Sequence, residues 1–237
     1  LLKELRQKFP AGSSCAILGD CAIHNTGMEE FISLMDGSAC SFDTKDLNEW
    51  NSRRMRLEKF KSVMNFKEVD TFDINGNPSF KKDLNNLLDE SFYNKYDWVI
   101  DSGTMYCCFD IPTAWQNVIN MLKDEGCVFH TFGLSGFFGR GFYSVGPALL
   151  RDFYDANNFS IEMMATKTRL ARKWEKFDSA NTYLAHASEY FIDFRKDNGE
   201  YIPLIPNDAQ LSCFATRSKR SEFKKPIPQH FIDTNGA

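Results

Sequence analysis

Three acidic residues stand where stretches of apolar or strand-like sequence run out. Asp73 ends Glu68-Val69-Asp70-Thr71-Phe72, Asp101 follows Trp98-Val99-Ile100, and Asp83 lies between them in Lys82-Asp83-Leu84-Asn85. In an open α/β sheet the ligand crevice lies outside the carboxyl ends of the strands. A carboxylate there can accept both hydroxyls of a ribose, and a second can receive the exocyclic amine of an adenine, directly or through backbone. Gly19, just after Cys15-Ala16-Ile17-Leu18, lets backbone approach such a ligand closely. Strand-ending Asp and Gly are also common turn residues, so the set carries more weight than any one member.

Proton-transfer groups are fewer. His130 ends the apolar run Cys127-Val128-Phe129, His24 lies in the segment after Gly19, and Tyr106 and Tyr143 are the candidate phenols. Imidazole titrates near neutrality and is the usual base, although a His behind Val128 and Phe129 equally suits a hydrogen-bonded wall. Arg140, between Gly139 and Gly141, offers the planar pair of donors that clamps a carboxylate or phosphate. Phe137, Phe138, Phe142 and Tyr143 make either an apolar lid over a ligand or the packing of their own loop.

These residues need a scaffold, and the periodicity supplies one. Leu1 to Phe9 reads as a helix, Cys15–Leu18 as a buried strand, Glu29 to Met35 and Leu47 to Met64 as helices, and Glu68 to Phe72 as a strand before turn chemistry at Ile74-Asn75-Gly76-Asn77-Pro78. Tyr96 to Ile100 is a strand. Thr113 to Lys123 carries a helical stripe at Trp115, Val118, Ile119 and Leu122 before a stop at Gly126, and Cys127 to Thr131 is the next strand. Glycines at 136, 139, 141 and 146 mark a loop, Pro147 opens a helix to about Asn157, Met163 to Tyr190 reads as mainly helical, and Leu211 to Thr216 is a last strand before a polar tail from Arg217. Strand, helix and strand alternating over short connections is the pattern of a parallel sheet covered by helices.

Composition bounds the answer. The 237 residues are 43% hydrophobic and 25% charged, which suits one globular domain. A formal net charge of −4 argues against a nucleic-acid backbone as main partner. The basic runs Arg53-Arg54-Arg56, Lys167 to Lys176 and Arg217 to Lys225 read as solvated faces. No apolar run reaches the roughly 18 residues of a membrane helix, and the opening Leu1-Leu2-Lys3-Glu4 is not a secretory signal. The absence of an opening Met reads as a piece of a longer chain. Seven Cys without paired or zinc-ligand spacing fit reduced thiols in the cytoplasm, and no metal site emerges from the His and Cys.

The order and spacing of these segments from about Cys15 to Phe159 resemble class I S-adenosylmethionine-dependent methyltransferases. Tyr96-Asp97-Trp98-Val99-Ile100-Asp101-Ser102-Gly103-Thr104 is similar to the fourth motif of that family, and Leu122-Lys123-Asp124-Glu125-Gly126 to its helix-ending turn. Gly141-Phe142-Tyr143-Ser144-Val145-Gly146-Pro147, followed by Leu149-Leu150-Arg151-Asp152-Phe153-Tyr154, resembles a segment after the fifth strand in one branch, and Pro226-Ile227-Pro228-Gln229-His230 a tail in the same branch.

The resemblance implies a single domain over 1–237 with a doubly wound, mostly parallel sheet of seven strands, the last antiparallel, and helices on both faces. It also implies a helical acceptor-side insertion around 160–200 and a polar tail over 217–237. By the same resemblance S-adenosylmethionine is the cofactor. Gly19 and Asp20 border its methionine part, Asp73 takes the ribose with Ile74 beside it, Asp83 and Leu84 border the adenine, and Asp101, Ser102 and Gly103 face the sulfonium. His130, Tyr106 and Tyr143 are then the catalytic candidates, and Arg140 and Phe142 the substrate-binding ones. The implied activity is methyl transfer to a small-molecule acceptor, at oxygen.

Two departures keep an alternative in view. The first motif, Ile17 to Gly27, lacks closely spaced glycines, and Met105-Tyr106 stand where relatives carry Glu-His. These motivate a non-catalytic, methyltransferase-like binding or scaffold protein. A nicotinamide-dependent oxidoreductase is the weaker reading: Gly19 opens no GxGxxG run, and Asp73 lies far beyond the roughly 20 residues that separate the dinucleotide fingerprint from its acidic residue.

Overall fold

The computed structural model describes residues 11–19, 57–137, 139–168, 174–177 and 209–228. Its regular elements are β1 (Ser14–Leu18), α1 (Leu57–Met64), β2 (Glu68–Asp73), β3 (Phe80–Lys81), β4 (Tyr96–Asp101), α2 (Ile111–Met121), β5 (Leu122–Gly133), α3 (Pro147–Ala156), β6 (Phe159–Thr168), β7 (Trp174–Phe177) and β8 (Ala209–Arg217). The helices expected over Leu1–Phe9 and Glu29–Met35, and the first part of the one over Leu47–Met64, lie outside the described residues.

The strands form one sheet in the order β3-β2-β1-β4-β5-β8-β6-β7. β1 pairs in parallel with β2 and β4, β2 with β3, and β4 with β5, while β8 runs antiparallel to both β5 and β6. Central parallel strands are covered on both faces and so read as continuous apolar runs. Cys15-Ala16-Ile17-Leu18 and Trp98-Val99-Ile100 are buried throughout for that reason. The seven-stranded doubly wound core is thus β1 to β6 with β8, and β7 adds a short antiparallel strand beyond it.

β6 and β7 correct the helical reading of 163–190 and of the insertion around 160–200, as far as these residues are described. Buried Phe159 and half-buried Ile161 alternate with exposed Ser160 and Glu162, a period of two. A register shift between Ile161 and Met163 then breaks the alternation, so that the apolar positions mimic helical spacing.

α2 also departs from expectation. It begins at Ile111, two residues before the expected start, because the Asp110 side chain accepts from Thr113 N at 3.2 Å and Pro112 falls in the first turn. It ends at Met121, since Leu122 already pairs with Tyr96 of β4 and Cys127 pairs with Trp98. Residues 123–126 bulge out between those two pairs. Arg217, expected to open the polar tail, is instead buried at the end of β8, where Nη1 donates to the carbonyls of Ile119 (2.9 Å) and Leu122 (3.1 Å). A cation there meets carbonyls that the end of α2 leaves without helical partners.

Each face of the sheet carries its own aromatic packing. Phe60 of α1 packs on Phe66, Phe66 on Trp98, and Trp98 on Phe214 of β8. The other cluster centres on Trp115 of α2, against His130 and Phe132 of β5 and Phe153 and Tyr154 of α3. Among the described residues no helix is long and apolar enough to cross a membrane.

Candidate functional site

The parallel strands all end on one edge of the sheet, and the register fixes which strand ends meet there. Leu18 pairs with Phe72 on one side and with Asp101 on the other, which places Gly19 between Asp73 and Ser102. Gly19 N donates to Phe72 O at 2.7 Å and the residue adopts a φ of +96°. A Cβ at this position would collide with Oγ1 of Thr104, which itself donates to Leu18 O at 2.8 Å. Thr104 therefore ties the loop after β4 to the end of β1, and only glycine fits between them.

Asp73 accepts a hydrogen bond from Asn75 N at 3.0 Å, a turn that keeps its carboxylate at the rim. Ile74, the next residue, is 58% exposed. Asp83 is exposed, and its Oδ1 accepts from Asn85 N (2.9 Å) and Nδ2 (2.7 Å); Leu84 beside it is buried. Asn85 in turn accepts from Asp110 N at 2.9 Å, which joins the loop after β3 to the cap of α2.

Asp101 is built differently. Fully buried, its Oδ1 accepts from the backbone N–H groups of Gly103 (3.2 Å), Thr104 (2.7 Å) and Met105 (3.2 Å), and its Oδ2 lies 3.2 Å from Nδ1 of His130. A carboxylate partner puts the imidazole proton on Nδ1. His130 is itself 0% exposed, stacked on Phe132 and tilted against Trp115, and its Nε2 has no hydrogen-bond partner in the structure. Together Asp101 and His130 hold the loop that carries Ser102, which is exposed, and Gly103.

That loop continues to Tyr106, whose carbonyl accepts from Phe142 N (3.0 Å) and Tyr143 N (3.2 Å) of the loop after β5. The Tyr106 ring occupies the space that a side chain at Gly141 would need. Tyr143 Oη donates to Phe109 O at 2.7 Å, and Cys107 Sγ donates to Arg140 O at 3.1 Å. Two rings crown this assembly: Phe109, 73% exposed, and Phe142, 67% exposed, packed edge to face at 5.7 Å. Arg140 is exposed, and its charge acts on both Tyr106 and Cys107. Burial pushes the Tyr106 phenol up, and likewise the thiols of Cys107 and Cys108, the latter to about 12, so both cysteines are neutral thiols near pH 7.

The geometry brings Gly19, Asp73, Ile74, Asp83, Ser102 and Gly103 to one rim, with Tyr106, Arg140, Phe142 and Tyr143 on the adjoining loops. Asp20 and His24 lie outside the described residues. Among the described residues no group of three or more His, Cys, Asp or Glu gathers as metal ligands. Sequence reasoning missed Phe109, Asn85 and Asn117. Asn117 alone left a trace, as a polar residue between Trp115 and Val118 on an apolar helix stripe.

The core strands take the order β3-β2-β1-β4-β5-β8-β6, with β8 antiparallel to both neighbours. The chain thus has a Rossmann-like, doubly wound α/β fold with an antiparallel strand inserted beside β5. No protein-family model matches the sequence, and no curated protein sequence matches it either. Solved structures similar to it include the N-methyltransferase NodS from Bradyrhizobium japonicum WM9 in complex with S-adenosyl-L-homocysteine, at 10% identity and a TM-score of 0.47 over 92% of this chain and 84% of that one. A protein from Bacillus halodurans C-125 assigned as a methyltransferase aligns at 6% identity and a TM-score of 0.44 over 92% and 99%. A third, assigned as a sarcosine dimethylglycine methyltransferase from Galdieria sulphuraria, aligns at 11% and 0.44 over 91% and 82%.

Proposed function

We propose that the protein is an S-adenosylmethionine-dependent methyltransferase acting on a small-molecule acceptor, with oxygen as the accepting atom. The observation that carries this reading is the rim where Gly19 lies between Asp73 and Ser102, with Ile74 exposed beside Asp73. A carboxylate with an exposed aliphatic neighbour suits a ribose with an adenine face behind it. When bound, the cofactor supplies an activated methyl group on a sulfonium, so the protein's share is placement of the acceptor and exclusion of water.

In this reading Asp73 accepts from the ribose hydroxyls, Ile74 covers one face of the base, and Asp83 and Leu84 border its edge. Gly19, Asp20, Ser102 and Gly103 line the methionine part. Asp101 acts through backbone, by fixing the 102–105 loop, and His130 positions Asp101 from the core; complete burial favours that role over proton transfer. Phe142 and Phe109 give the acceptor an apolar ledge and Arg140 an anion clamp. Of the three candidate bases Tyr143 is the one that reaches solvent. With its proton given to Phe109 O, the phenol can accept a hydrogen bond from an acceptor hydroxyl and so orient it, the hydroxyl proton leaving to solvent as the methyl group arrives.

Calorimetric titration with S-adenosylmethionine and S-adenosylhomocysteine, with NAD as control, tests the reading. Micromolar binding of the first two and none of NAD is expected. Absence of binding by both would remove the methyltransferase reading in favour of a binding or scaffold protein.

A further inference from the structure

Among the described residues no strand lies beyond β3, which is only two residues long and stands at the sheet edge, to hold the shape of the loop that follows it. Much of its support comes from one side chain on another element. Asn117 of α2, fully buried, spends every polar atom of its amide on this loop: Oδ1 accepts from Leu88 N at 2.9 Å, and Nδ2 donates to Leu84 O at 3.2 Å and Asn86 O at 2.9 Å. Three consecutive alternate residues of the loop are thus fixed to one point on α2. A second tie, Asp110 N to Asn85 Oδ1, runs from the cap of the same helix.

Burying an amide in an apolar stripe costs free energy unless all its groups are bonded. Here they are, and all on the segment that carries Asp83 and Leu84. We infer that Asn117 is a positioning residue for recognition of the cofactor's base: it sets the backbone of residues 84–88 so that Asp83 and Leu84 meet the adenine edge. This rests on the adenine-edge reading of the previous subsection.

A purely structural role and a base-positioning role differ in what they couple to. If Asn117 positions the base-reading loop, its loss matters for a ligand with a 6-amino group and little for one that has lost it. Calorimetry of the wild-type protein and the Asn117→Leu variant against S-adenosylhomocysteine and its deaminated analogue S-inosylhomocysteine reads that coupling directly. The expected result is a loss of about tenfold in affinity for the adenosyl ligand, the size of a pair of well-formed hydrogen bonds, with a change under about twofold for the inosyl one. Equal losses for both ligands, or none for either in a folded variant, overturn the inference and leave the methyltransferase reading standing. Wild-type protein that binds neither ligand overturns that reading, and the inference with it.

Should Asn117→Leu fail to fold, amide hydrogen exchange on the wild-type protein decides. Slower exchange at Leu88 with S-adenosylhomocysteine than with saturating S-inosylhomocysteine supports the inference; equal protection overturns it.

Discussion

The rim of the sheet divides into two stretches that use the same residue types in opposite ways. After β2 and β3, Asp73 and Asp83 are each bonded to backbone two residues on, with Asp73 half-buried at the rim and Asp83 exposed. Over β4 and β5 the carboxylate turns inward. Asp101 is consumed by three backbone N–H groups and His130, and beside exposed Ser102 and Arg140 the surface carries an aromatic group, Phe109, Phe142 and Tyr143. The first stretch presents polar groups at its rim, suited to a ligand rich in hydroxyls. The second is one interlocked body with an apolar crown, suited to holding a shape.

If that division is right, substitutions on the two sides fail in different ways. The largest effect is expected from Asp101→Ala, which leaves three backbone N–H groups, that of Met105 buried, and a buried imidazole without their acceptor; a loss of about 3 kcal/mol in stability is expected by denaturant titration. Unchanged stability would erase the distinction between inward and outward carboxylates. Asp73→Ala should behave inversely, with a stability loss of about 1 kcal/mol or less from its turn hydrogen bond and about a hundredfold weaker binding of S-adenosylhomocysteine, since the charged acceptor of two hydroxyls is gone. Retained affinity would end the ribose assignment.

Gly19→Ala tests the seam between the stretches. The left-handed φ and the collision with Thr104 should cost about 2 kcal/mol, and Thr104→Ala in the same chain should recover part of it by removing the collision but not the backbone strain. No recovery in a thermal melt would mean that the two loops do not meet as described. The smallest effect belongs to Phe142→Ala: about a tenfold rise in KM for an acceptor, with stability within about 0.5 kcal/mol because the ring is mostly in water.

Much of this was legible before any coordinates. Apolar runs at 15–18, 98–100 and 211–216 fall inside β1, β4 and β8 because buried strands admit little else. The direction of a side chain at a strand end was not legible. Asp73 and Asp101 carry the same signature, but pleat parity and the neighbouring His130 turn one inward, and no single-strand pattern records a neighbour. The same limit hid Asn117, whose partners lie 29 to 33 residues away along the chain. The register shift in β6 hid a strand by displacing its period.

The carbonyl of Tyr106 joins two loops. Since it takes the N–H groups of both Phe142 and Tyr143, while its ring fills the place of a side chain at 141, the glycine-rich loop is in effect mounted on the loop after β4. Two segments separated by a helix and a strand therefore share one hinge. A substitution that displaces Tyr106 is therefore expected to disturb both loops at once, aromatic ledge included.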